Sequence, residues 1–153
     1  MVVIQRTFLN PKESWAFGAL LSRHLEVGDL ILLFGDLGAG KTTLARGIIT
    51  RLTGYDDIPS PTYTLVQQYE ADDGFTILHG DLYRIERGCE VDELGLDDGL
   101  EQGAVVLEWP ECAPQWHLKD RLEIHFENAM NDVRTVRIFA FGNWIERLKC
   151  FDE

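Results

Sequence analysis

Residues Gly35-Asp36-Leu37-Gly38-Ala39-Gly40-Lys41-Thr42 spell G-x-x-x-x-G-K-[ST], and no other stretch of the chain restricts its fold as strongly. The pattern belongs at one kind of junction, where a buried strand turns into a helix over bound phosphate. The glycines let consecutive backbone N–H groups turn inward as an anion nest. Lys41 is expected to be an exposed loop residue that reaches the β- and γ-phosphates, with the Thr42 hydroxyl directed at Mg²⁺. The helix beyond adds the positive end of its dipole.

The flanks supply that context. Leu30–Phe34 (LILLF) is a continuous apolar run, as a parallel strand covered on both faces should be. From Thr43 to Leu52, Leu44, Ile48 and Leu52 recur every fourth residue, and Gly54 follows as a C-cap. The rest reads as an α/β chain forming one domain over residues 1–153: a mostly parallel central sheet flanked by helices, with a C-terminal antiparallel hairpin. A first strand is expected over residues 2–9. Asn10, Pro11 and Glu13 then open a helix running to about Leu25, showing Trp15, Ala19 and Leu20/Leu21. Thr62–Tyr69 and Phe75–His79 flank the turn Asp72-Asp73-Gly74 and read as a hairpin. Val91–Leu100 is acidic and partly helical, interrupted by Gly95 and Gly99. Ala104–Leu107 is a second buried strand. Arg121–Glu127 and Arg134–Phe141 alternate around a polar turn at Asn128–Asp132, and a short helix follows over Asn143–Lys149.

A phosphate loop works with an acidic residue at the end of a neighbouring strand. Asp81 follows Ile77-Leu78-His79-Gly80 and Glu108 follows Val105-Val106-Leu107, so both fall on the ligand edge of a parallel sheet. Which of the two serves the metal more directly stays open on these grounds. Ser60 and Thr62 lie on a proline-stiffened segment placed where phosphate-loop switches present a hydroxyl. Arg84 and Arg87 follow Asp81 as phosphate clamps or partner contacts.

The net charge of −12 argues against direct binding of nucleic acid, which needs Lys and Arg to replace counterions. A nucleotide needs only local donors, one lysine and a metal. Three widely spaced cysteines without C-x-x-C, and four histidines without a cluster, suggest free thiols, no structural zinc and a reducing cytoplasm. His24, His79, His117 and His125 read as packing or surface residues. No run approaches membrane-spanning length.

Five blocks then narrow the reading. Gly35–Thr43 (GDLGAGKTT), Ser60–Val66 (SPTYTLV), Asp81–Arg84 (DLYR), Glu93–Leu96 (ELGL) and Glu108-Trp109-Pro110 (EWP) resemble, in order and spacing, the bacterial TsaE (YjeE) family along residues 10–140. The resemblance implies an ATPase required for threonylcarbamoylation of adenosine 37 in tRNA. It implies ATP and Mg²⁺ bound at Gly38, Ala39, Gly40, Lys41, Thr42 and Thr43, with Thr42 and Glu108 at the metal. Asp81 is then the Walker-B-like or water-positioning acid, catalytic together with Lys41 and with Thr62 as a switch-like threonine; Trp109 neighbours the site and Arg134 is a basic group approaching the nucleotide. The implied partners are the TsaD and TsaB proteins, which hold the tRNA. Gly80 departs from the family, whose members often carry a bulkier residue there.

Two other classes use the same loop. A small-molecule kinase needs an acceptor pocket and an Arg-rich lid, and no Arg-rich segment occurs between the acidic helix and the last strands. A GTP-driven switch brings Asn-Lys-x-Asp, and no Asn here precedes a Lys; Asp92-Glu93-Leu94-Gly95 matches D-x-x-G without a strand before it.

Overall fold

The structure is a computed structural model, and it describes residues 1–61 and 65–151. Seven strands form one sheet: β1 (Val2–Phe8), β2 (Leu30–Phe34), β3 (Val66–Glu70), β4 (Thr76–Asp81), β5 (Gly103–Glu108), β6 (Arg121–Met130) and β7 (Val133–Phe141). Their order across the sheet is β1-β7-β6-β2-β5-β4-β3. The four central strands β6, β2, β5 and β4 are parallel. Antiparallel pairing closes both margins, through β7 and β1 on one side and β3 on the other. The parallel part is thus the centre, and the C-terminal hairpin enters it through β6.

Four helices accompany the sheet: α1 (Pro11–Ser22), α2 (Lys41–Thr53), α3 (Leu96–Gln102) and α4 (Trp144–Leu148). Asn10 caps α1 by accepting from the Glu13 N–H at 3.1 Å, and the Glu13 carboxylate reaches back to Leu9 N–H. The helix ends at Ser22 and not near Leu25, because the next N–H groups switch to i→i−3 bonds, His24 to Leu21 and Leu25 to Ser22. Its buried face is Ser14, Phe17, Gly18, Leu21 and Ser22, whereas Trp15 and Leu20 are exposed. Close packing against α2 sets that face. A Cβ at Gly18 would lie 2.1 Å from Leu44 O, and one at Gly47 would lie 2.1 Å from Trp15 O. The two helices therefore meet backbone to backbone, through a glycine from each.

One face of the sheet packs Ile31, Leu33, Ile77, Val106, Ile124 and Ile138 against α1, α2 and α4. The other face is covered only at the centre, where Leu30, Leu32, Leu78, Val105 and Leu107 meet α3 and 3-10 turns at Gly88–Glu93, Pro110–Cys112 and Pro114–Trp116. The acidic segment divides at Gly95 (φ 79°), and Gly99 does not interrupt it but lies inside α3. The last hairpin is longer than its alternation suggests, running to Met130 and turning at Asn131-Asp132. No helix of the described residues is long and apolar enough to cross a membrane.

Candidate functional site

Because β2, β4 and β5 are parallel, their C-terminal ends share one edge, and the glycine-rich loop rises from β2 at that edge. Gly38 and Gly40 sit at φ 76° and 106°, in backbone space that side-chain-bearing residues seldom enter. The turn they permit brings Lys41 to the first position of α2. A cleft of about 220 Å³ opens there, lined by residues 37–43 together with Asp81, Glu108 and Trp109. The loop residues Gly38, Ala39, Gly40, Lys41, Thr42 and Thr43 and both acids named from the sequence thus converge.

Register explains the acids. Asp81 and Glu108 end adjacent strands and are paired directly across, so both side chains leave the same face of the sheet. Both are buried. The Asp81 Oδ1 accepts from Tyr83 N–H at 2.9 Å. Glu108 is held at both oxygens: Oε1 accepts from the Thr42 hydroxyl at 2.8 Å and Oε2 from His79 Nε2–H at 2.6 Å.

Lys41 departs from expectation. It is 4% exposed, not an open loop residue. Its ammonium donates to Gly35 O at 2.6 Å and stands 3.6 Å from the centroid of the Trp109 ring. Trp109 takes left-handed backbone angles (φ 58°, ψ 48°) just beyond β5, which turns the chain sharply at the strand end. Burial pulls the Lys41 pKa below the ordinary lysine range, while Glu108, Glu111, Asp81 and Asp36 pull the other way.

Arg134 lies on the far side of the loop from the acids. Its guanidinium donates to Ala39 O at 3.0 Å and to Gly38 O at 3.3 Å. These bonds occupy the two carbonyls, and the Ala39 N–H is itself taken by Asp36 O at 3.1 Å. Arg134 also lines a smaller cavity with Pro11, Ser14, Gly38, Gly40 and Thr43. Thr62 lies outside the described residues. Ser60, Arg84 and Arg87 are exposed and line none of these cavities. Cys112 and Cys150 are free thiols, and burial, then Glu111 and Asp81, push the Cys112 thiol up.

His79 is the residue that sequence reasoning missed. It is no ordinary packing histidine: fully buried, it bonds Glu108. The signal was period two, since residues 79 and 81 of one strand share a face.

The donor set suits Mg²⁺ bound with a phosphate. Among the described residues no group of three or more His, Cys, Asp or Glu could hold a metal alone. A buried carboxylate and a hydroxyl are hard oxygen donors, and Mg²⁺ ordinarily takes one or two carboxylates and completes its shell with water and phosphate.

Comparison with known proteins gives the chain's family and fold. A family model described as "Threonylcarbamoyl adenosine biosynthesis protein TsaE" matches residues 9–136. The chain is 36% identical over 141 residues to the tRNA threonylcarbamoyladenosine biosynthesis protein TsaE of Bacillus subtilis, covering 92% of this chain and 87% of that protein. It is 43% identical over 122 residues to the protein of that description from a Nostoc species, covering 74% of each. Its fold is similar to the crystal structure of Bacillus subtilis YdiB, with a TM-score of 0.79, 30% identity, and coverage of 99% of this chain and 97% of that one.

Proposed function

This chain belongs to the TsaE family of threonylcarbamoyl adenosine biosynthesis proteins, and on that premise we propose that it binds ATP with Mg²⁺ and hydrolyses it to ADP and phosphate. The observation that carries the reading is the convergence of the glycine-rich loop, Lys41, Thr42, Asp81 and Glu108 on one cleft.

The roles follow from the chemistry of each group. The N–H groups of residues 38 and 40–43 and the Lys41 ammonium receive the phosphates, while the Ala39 N–H closes the loop on Asp36 O. Thr42 and Glu108 would hold Mg²⁺, which would supply positive charge against the phosphates. Asp81, beside Glu108 at the strand edge, orients the attacking water. The water oxygen bonds to the γ-phosphorus, the bond to the β–γ bridging oxygen breaks with its electron pair staying on that oxygen, ADP leaves, and the proton lost by the water passes to the released phosphate and solvent. Thr62 acts as a switch-like hydroxyl toward the γ-phosphate. Arg134 serves nucleotide binding by shaping the loop from behind. Lys41 has to exchange Gly35 O for phosphate, and Trp109 borders that move.

TsaD and TsaB are the proposed partners. The chain's charge of −12 suits tRNA held by them and not by this chain. Turnover alone is slow, since the described cleft contains no arginine positioned as a finger, a group worth roughly 10³–10⁵ in the systems that use one. The deciding experiment measures phosphate release by this chain with and without purified TsaD–TsaB. It is paired with a tRNA threonylcarbamoylation assay under limiting TsaD–TsaB. Stimulated release and a requirement for this chain with intact Lys41 are expected; equal product with and without the chain refutes the proposal.

A further inference from the structure

We infer that His79 is the positioning residue for the metal-holding carboxylate, fixing Glu108 so that one oxygen stays aimed at the cation. The inference rests on the proposed role of Glu108. Three observations carry it. First, His79 is fully buried within β4, and its Nε2–H spends its one hydrogen bond on Glu108 Oε2 at 2.6 Å. Second, its other ring nitrogen, Nδ1, has no hydrogen-bond partner. An imidazole buried with one nitrogen unsatisfied carries a cost that leucine or valine at this place would avoid. Packing therefore does not account for it, and the bond to Glu108 does. Third, the two oxygens of Glu108 have partners of different standing. The Thr42 hydroxyl on Oε1 is the group that the loop pattern directs at Mg²⁺. A cation on that hydroxyl's lone pair leaves its O–H on Oε1, so Oε1 stays on the metal side of the carboxylate while His79 fixes the opposite oxygen and with it the rotation of the group. Outer partners of this kind keep a ligand's orientation, and their loss commonly costs about 10- to 100-fold in metal affinity.

The geometry distinguishes substitutes. In His79→Gln an amide N–H on a side chain of similar reach replaces the ring N–H, whereas His79→Asn stops short and His79→Leu removes the donor. The test is calorimetric titration of the full chain with ATP, in EDTA and across a Mg²⁺ series, alongside Glu108→Gln. Affinity in EDTA should be unchanged in the His79 variants. The Mg²⁺ concentration that gives half the gain in affinity should rise about 10- to 100-fold in His79→Leu and His79→Asn, with most of the loss recovered in His79→Gln. Parent-like Mg²⁺ dependence in His79→Leu, equal losses with and without Mg²⁺, or a Gln variant no better than Asn would each overturn the inference. If His79→Leu does not fold, the Gln and Asn pair decides by the same criterion. A Glu108→Gln variant that keeps full Mg²⁺ dependence refutes the role of Glu108 itself. A Glu108→Gln variant that loses it while His79→Leu keeps it refutes this inference alone.

Discussion

The two halves of the sheet bury their residues in different ways. Strands β2, β4 and β5 are covered on both faces, and every residue of β4 and β5 is buried. Strands β1, β6 and β7 carry helices on one face only; β1 alternates along its length, and its Val3 is 41% exposed. All the polar side chains that meet the cleft from the strands come from the doubly covered half: Asp81, Glu108 and, behind them, His79. The other half contributes Arg134, which bonds the back of the loop. A strand covered on both faces can hold a carboxylate dry and fixed, since its neighbours leave it little room to move. A strand covered on one face lends stability and a brace.

If this division is right, substitutions in the two halves separate activity from stability. The largest effect falls at the loop's own charge. Lys41→Ala should abolish hydrolysis and weaken ATP binding by about 1.5–3 kcal/mol, the worth of a charge-assisted contact; unchanged turnover would break the comparison at its centre. Next comes Ile138→Ala in β7, which hollows the singly covered half. It should lower stability by about 2–5 kcal/mol in urea unfolding, while the folded fraction keeps its nucleotide affinity. Arg134→Gln should leave the unfolding midpoint nearly in place and weaken ATP binding roughly tenfold, about 1.4 kcal/mol, through a looser loop. A large stability loss with intact binding would make Arg134 part of the flank and not of the site. The smallest effect is expected at Arg137→Ala. Its ion pair with Glu127 spans 3.3 Å on an exposed surface, so stability should change by less than about 0.5 kcal/mol and binding not at all.

The same division explains what could be read in advance. Continuous apolar runs made β2, β5 and the acids that follow such runs at Asp81 and Glu108 legible, and fixed letters at fixed spacing made residues 35–42 legible. Alternation revealed the last hairpin, but its reach to Met130 did not show, because Asn128 and Asn131 look alike as turn residues and only pairing with β7 separates them. The buried face of α1 did not show in the sequence, because Gly18 carries no apolar signal although the close approach to α2 depends on it. The burial of Lys41 depended on Trp109, sixty-eight positions away and folded back by an unusual backbone angle. His79 escaped notice because its importance lies in a contact between two strands. At Gly80 a Cβ would stand 2.9 Å from the Leu107 side-chain tip, which would have to shift, and in ordinary contact with Leu65 O at 3.5 Å and Val66 Cγ2 at 3.7 Å.

The ammonium over the Trp109 ring also gives the molecule an optical gauge. Indole emission responds to a cation held against its face; Trp109 has Lys41 there, while the cation on Trp144 is Arg147, which is tied to Asp29 and takes no part in the cleft. When Lys41 moves to a phosphate, the emission of that ring should change without any dye or label. Trp116 and Trp144 sit in the two cores as a constant background. Trp15 lies by Thr43, so a Trp109→Phe variant serves as the blank that subtracts it. Occupancy of the cleft, its rate of filling and its emptying after hydrolysis then become readable in real time from the colour and brightness of one native side chain.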